Sequence, residues 1–374
     1  MAGLYLHIPF CRQMCGYCDF HRSVKMRYLQ PTIEQMHNEL ETESSFLTDR
    51  RLRTIYFGGG TPSLLSPEEI QRFIDHAARL FDCSQVEEIT VEANPDDVSE
   101  EWVEALTRTS VNRVSLGVQS LDEELLRLMG RRHTATEAIE AIKRLQRHGF
   151  DNISIDMIFG IDGFGDESLQ QTIDGFIALG VQHISAYHLT IEEGTSFGRM
   201  VESGRMQLVD EERSEREFTT IHKAFTQAGF DHYEVSNYAL PGRRSRHNSS
   251  YWTGDEYLGI GAGAHSFANN RRRWCSQSVE EYAKCIVYGE EQLTERDRIN
   301  ECVMTSLRRA EGLNLNDIER IGGSEARHRI ERLAEESIAA GWLVRSQSDD
   351  GTRLHIPPEK FLISDAVIST LFDV

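Results

Sequence analysis

The sequence lacks any apolar run long enough to span a bilayer: hydrophobic residues make up 39% of its 374 positions and are interrupted throughout. It has no basic n-region followed by an apolar h-region, so its first residues read as a strand and not as a secretory signal. It also lacks a basic balance. Forty Lys and Arg stand against 60 Asp and Glu, a formal charge of −20, which argues against nucleic acid as a partner and limits any membrane contact to a peripheral one. No short-period repeat or low-complexity tract is visible. Cysteine is sparse and odd in number, seven in all, which speaks for a reducing, cytoplasmic setting.

Strand and helix signals alternate up to about residue 235. Strand-like stretches occur at 4–8, 54–57, 88–92, 113–117, 153–159 and 183–189. Helical spacing fills the intervals, notably at 34–46, 67–81, 100–106, 136–147 and 211–228. Ser66-Pro67-Glu68-Glu69 is a helix start, and Gly149 and Gly229 suit helix ends. Such repetition predicts an α/β fold with a parallel sheet and right-handed crossovers, a partial (β/α)6 TIM-like barrel over residues 1–235. Residues 236–285 lose the alternation and read as an irregular connection. Residues 286–374 predict a mostly helical, winged-helix-like domain: helices at 295–309, 315–321, 326–340 and 364–372, and a hairpin around Asp350-Gly351. It has no basic recognition helix, so a packing or lid role fits better than DNA binding.

In a parallel barrel the C-terminal ends of the strands converge on one face, where ligands bind. The unusual motifs all fall there. Cys11, Cys15 and Cys18 follow the first strand in the spacing C-x3-C-x2-C, which matches neither paired zinc ligands nor a lone catalytic C-x-x-C. Three thiolates hold three irons of a cubane cluster and leave the fourth open. Gly58-Gly59-Gly60-Thr61-Pro62 follows the second strand and lets backbone approach a ligand. Glu92 ends the third, where a carboxylate suits a ribose diol. Gln119 ends the fourth; Arg131 or Arg132 offers a carboxylate clamp, and Asp156 sits among apolar neighbours on the fifth. Tyr5 and His7 share one face of the first strand, and His7 reads equally as a hydrogen-bonded core histidine.

The runs Tyr5-x-His7-x-Pro9-Phe10-Cys11-x3-Cys15-x-Tyr17-Cys18, Gly58–Pro62, Gly117-Val-Gln119-Ser120 and Arg131-x-His133 resemble the radical S-adenosylmethionine (SAM) superfamily. Ser185-x-Tyr187, Tyr233–Tyr238 and His247-Asn248-x2-Tyr251-Trp252 narrow the resemblance to the branch around oxygen-independent coproporphyrinogen III oxidase, over nearly the whole chain. Within that branch the oxidase carries a fourth cysteine two residues after the third; here that position is Phe20, and only ten residues precede Cys11. The His247–Trp252 run is instead similar to the HNxxYW signature of the HemW-type heme-chaperone group.

The resemblance implies a [4Fe–4S] cluster on the three cysteines, with SAM on its open iron. It puts SAM against Tyr5, Tyr17, Gly59, Gly60, Thr61 and Glu92, with Gln119, Arg131, Asp156 and Thr190 at positions that contact a second SAM in the oxidase. It implies an electron donor such as flavodoxin or ferredoxin, heme held through His247, Asn248, Tyr251 and Trp252, and delivery of heme to an apo-haemoprotein of the respiratory chain. His265, in the run Gly261-Ala-Gly-Ala-His, is a candidate second heme ligand. Two other readings stand beside this one. The first is a porphyrinogen-decarboxylating oxidase. The second is a zinc-binding scaffold with a winged-helix module. The HNxxYW run by itself also reads as a structural loop whose Tyr and Trp fill the barrel mouth.

Overall fold

The computed structural model describes residues 1–372, so the last two residues of the expected C-terminal domain lie outside the described residues. Six strands, β1 (Ala2–Ile8), β2 (Leu52–Gly59), β3 (Glu88–Ala93), β4 (Arg113–Gln119), β5 (Ile153–Phe159) and β6 (His183–His188), lie side by side in chain order, all parallel. Helices α1 (Leu29–Glu43), α2 (Pro67–Leu80), α3 (Glu100–Leu106), α4 (Glu123–Met129), α5 (Ala135–Arg147), α6 (Asp166–Ala178), α7 (Ser196–Glu202) and α8 (Glu211–Gln227) fill the connections. This is the expected partial barrel. Strand residues of one parity, such as Leu4, Leu6 and Ile8, are buried in the apolar core. The other parity (Tyr5, His7, Tyr56, Glu92, Arg113, Asp156) turns into a polar barrel interior.

Helix starts follow local chemistry. Ser66 caps α2 by accepting from the Glu69 N–H, ahead of Pro67 and two acids. Thr134 and Glu137 close a capping box on α5.

The stretch 236–285 is a correction. After β7 (Asp231–Glu234) and β8 (Asn237–Ala239) come a capped helix, α9 (Arg246–Thr253), strands β9 (Tyr257–Ile260), β10 (His265–Ala268) and β11 (Arg271–Trp274), and a short helix, α10 (Val279–Tyr282). With β12 (Gly289–Gln292) these strands extend the barrel sheet to twelve, in the order β12-β11-β10-β9-β1-β2-β3-β4-β5-β6-β8-β7. Here β9 runs parallel to β1. Strands of four residues joined by tight turns leave little periodicity to read. At Gly259, inside β9, an added Cβ would lie 2.0 Å from the His265 carbonyl oxygen, so β10 approaches this closely only over a glycine.

Beyond it, α11 (Glu295–Leu307), β13 (Leu313–Asn314), α12 (Leu315–Ala339), β14 (Val344–Ser348), β15 (Gly351–His355) and α13 (Ser364–Ser369) complete the described chain. The two expected helices at 315–321 and 326–340 are the arms of α12, broken at Gly323, whose φ is 73°. The small sheet runs β13-β15-β14, which gives the wing of the winged-helix-like part. No described helix is long and apolar enough to cross a membrane.

Candidate functional site at the barrel mouth

The loop after β1 is tied down at both ends: Cys11 N–H donates to the Ser23 carbonyl (3.0 Å) and Ser23 N–H to that of Pro9 (2.8 Å). Its middle is held by Gly16, whose N–H reaches the Met129 carbonyl (2.8 Å) and whose carbonyl accepts from Phe197 N–H (2.9 Å). The three cysteines are free thiols and line one cavity of about 400 Å³. Gly59, Gly60, Thr61, Glu92, Gln119, Arg131, Asp156, Thr190 and Tyr17 line the same cavity. Nine of the ten residues singled out for SAM therefore meet the cysteines at one mouth. The tenth, Tyr5, lies below it, with its O–H on His7 Nδ1 at 3.0 Å.

A chain of side chains joins two cysteines across this mouth. Thr61 Oγ1 donates to Cys11 Sγ (3.3 Å), Asn94 Nδ2 to Thr61 Oγ1 (3.3 Å), Arg131 Nη2 to Asn94 Oδ1 (2.7 Å), and Arg131 Nη1 to Cys15 Sγ (3.5 Å). Arg131 Nη2 also meets the Gly117 carbonyl (2.6 Å), while its buried Nε has no partner. Arg132 is instead committed to Asp96 (2.6 Å) and Asp97 (3.1 Å). Gln119 holds a φ of 71°, which a non-glycine residue keeps only where the surroundings enforce it. Burial raises the Cys11 and Cys18 thiols, and pushes Glu92 up to about 7 and Asp156 up to about 6. Glu92 still accepts from Tyr56 O–H (2.7 Å) and Gly59 N–H (3.1 Å). The glycine run serves packing first: a Cβ on Gly59 would fall 2.6 Å from the His7 ring, and one on Gly60 the same distance from the Phe10 carbonyl oxygen. Asn94 is the member sequence reasoning passed over; its signal was the Asn-Pro at the end of the third strand.

The HNxxYW residues lie at the other end of the barrel. Glu88, at the start of β3, accepts the N–H groups of Arg246 (2.9 Å) and His247 (3.0 Å), which pins the first turn of α9 under the strands. His247 is 1% exposed. Its Nδ1 bonds Thr54 Oγ1 (2.7 Å), its Nε2 bonds the Tyr251 hydroxyl (2.9 Å), and its ring stacks on Tyr56 with centroids 4.9 Å apart. Burial lowers its pKa to about 3. Neither ring nitrogen of His247 is free in this structure, since both are in hydrogen bonds. Tyr251 holds the His247 ring through its hydroxyl and also lines a cavity that reaches Glu92. Asn248 is half-buried with its N–H on the Ser245 cap (3.3 Å), and Trp252 faces the C-terminal part, with the Arg308 guanidinium 5.8 Å from its ring centroid.

Comparison with known proteins decides the family. The radical SAM superfamily pattern matches residues 5–175. The heme chaperone HemW of Lactococcus lactis subsp. lactis is 34% identical, over 97% of this chain and 95% of that protein. HemW of Mycobacterium tuberculosis is likewise 34% identical, over 99% of this chain and 94% of that one. The chain belongs to the HemW family. HemW of Escherichia coli is 37% identical over 70% of this HemW-family chain. The solved structure of coproporphyrinogen III oxidase (HemN) from Escherichia coli aligns with a TM-score of 0.82 at 19% identity, covering 99% of this chain and 89% of that one, which shows a shared fold.

Membership of the radical SAM superfamily carries a [4Fe–4S] cluster and SAM as the implied cofactors. The residues present fit the cluster. Among the described residues no three His, Cys, Asp or Glu side chains converge on a single metal ion, yet three free cysteines share one cavity wall. A cluster spreads its ligands over different irons, so that spacing suits it better than one zinc. The partnerless Nε of Arg131 fits the carboxylate of a ligand beside the cluster.

Proposed function

We propose that this protein is a radical SAM heme chaperone: it holds a [4Fe–4S] cluster on Cys11, Cys15 and Cys18, binds SAM in the cavity above Glu92, and carries heme as cargo to a respiratory haemoprotein. The observation that carries this reading is the shared mouth, where the three thiols, two raised carboxylates and a half-satisfied arginine meet in a chain alike to HemW proteins along almost its whole length. When bound, the cluster supplies single electrons to SAM, and a flavodoxin- or ferredoxin-type donor is the proposed source. The chain's own part is to seat and orient. Arg131 faces a carboxylate, Glu92 a ribose diol, and Gln119 offers both donor and acceptor. Phe20 supports the chaperone reading over oxidation of a porphyrinogen, because the position where the oxidase carries a cysteine is apolar and 64% exposed.

The proposed domain layout keeps the barrel at 1–235 and the winged-helix-like part at 286–374. The intervening strands are assigned to the barrel sheet. The test is a paired assay on anaerobically reconstituted protein. Ferric heme titration should give saturable binding, and incubation with coproporphyrinogen III, SAM and a reductant should give no decarboxylated product. Turnover of coproporphyrinogen without heme binding would overturn the chaperone reading.

A further inference from the structure

A second cavity, of about 480 Å³, opens beside the cysteine-lined one and shares Phe20, Gly59 and Glu92 with it. His21 and His265 both line it. They differ from the histidines of the barrel interior in being more open: His265 is exposed and His21 half-buried. His7, His183 and His247 each have both ring nitrogens in hydrogen bonds. The rings of His21 and His265 make none within the described residues; their only close ring contacts are stacking or tilted ones with Trp274 and His7.

Both imidazoles are nevertheless held in place. His7 Nε2–H donates to the His21 carbonyl at 3.0 Å, which fixes the backbone just after the cysteine loop. The His21 side chain packs against Gly263, whose φ is 94° and where an added Cβ would come within 2.9 Å of the His21 ring and Cβ. His265 sits on β10 opposite Trp274 of β11, with ring centroids 6.3 Å apart and nearly parallel planes. Partial desolvation and the Arg272 charge hold His265 below its usual pKa, which favours the neutral imidazole. Tyr257 and the exposed Phe20 supply apolar ring faces at the cavity wall and rim.

Two partnerless imidazoles, aromatic walls and an opening toward solvent suit a planar iron tetrapyrrole: the iron takes nitrogen ligands, and the ring packs on aromatic faces. We propose that heme docks in this lateral cavity with its iron on His265 and with His21 as the second imidazole, separated from the cluster site by Phe20. The inference rests on the reading that the chain carries heme, and it moves the ligand away from the HNxxYW histidine.

Ferric heme is titrated into the full, cluster-loaded chain and followed by optical and electron paramagnetic resonance spectra, for the wild type, His21→Ala, His265→Ala and Cys302→Ser. Iron and sulfide content, with the melting curve, verify that each variant is folded and loaded. The wild type should show a low-spin, two-imidazole spectrum. His21→Ala should turn it high-spin. Altering groups that merely support a metal ligand costs about 10–100-fold in affinity, so His265→Ala should weaken binding by at least about that. The proposal is overturned if the wild type binds heme while both histidine variants keep its spectrum and affinity. It is equally overturned if Cys302→Ser, in the adjoining cleft beside Trp252 that shares only Tyr251 and Tyr257 with this cavity, abolishes the signal. A wild type that binds no heme refutes the chaperone reading itself, and this site with it.

Discussion

The mouth and the floor of the barrel use the same kinds of residue to opposite ends. At the floor, His247, Thr54, Tyr251 and Glu88 saturate one another. At the mouth, Arg131 keeps an unused donor, Gln119 sits at a positive φ, and burial holds Glu92 and Asp156 near neutrality. Saturated polar groups hold a fold together; polar groups with spare capacity await a ligand. Arg113 is the exception. It is buried below the mouth with Nε and Nη1 partnerless, and its charge pulls both carboxylates down against the larger effect of burial.

This contrast can be broken in order of effect. Cys15→Ala should abolish cluster assembly, with iron and sulfide near background after anaerobic reconstitution; a retained cluster would remove the loop from the site. His247→Ala should cost roughly 2–4 kcal/mol of stability, the sum of a cavity and two lost hydrogen bonds, while cluster content stays unchanged. A urea midpoint equal to wild type would show that His247 has no structural role. Arg131→Met should weaken SAM binding to the loaded protein by about tenfold or more in equilibrium dialysis, since a hydrogen bond to a charged group is worth about 1.5–3 kcal/mol. Ser245→Ala, which removes the cap of α9, should cost about 1 kcal/mol in the same unfolding series.

The last prediction concerns pH. The folded pKa of Glu92 lies above its ordinary 4.5, at about 7, so between those values the folded state binds more protons than the unfolded one. Stability therefore falls as pH rises through that window. Glu92→Gln should flatten the decline without removing it, because Glu234 is likewise raised to about 7. A slope unchanged by Glu92→Gln would mean that this carboxylate is not buried in solution.

Much of the mouth was legible from the sequence because most residues there sit at or just after a strand end (Arg131, after α4, and Asp156, within β5, are exceptions), and a parallel barrel brings strand ends together whatever the details of packing. The six core strands were legible for a related reason: β-branched and apolar runs such as Ile153–Phe159 carry their own pattern. The floor was not. A motif of His, Asn, Tyr and Trp reads alike whether its polar atoms face a ligand or one another, and the partners it has here, Thr54 and Glu88, are far away in sequence. The strands β9–β11 escaped for want of length. Arg132 was indistinguishable from Arg131 until Asp96 and Asp97 were seen to claim it.

The parallel pairing of β1 with β9 has a consequence for how the protein is made. The strand that leads into the cysteine loop is synthesised before β2–β6, yet its second neighbour consists of residues 257–260. Until those residues leave the ribosome, β1 keeps one edge unpaired, and the loop it supports lacks the Gly261–His265 turn that packs against His21. The three cysteines of this loop thus precede the other four in synthesis and sit beside one of the last parts of the sheet to close.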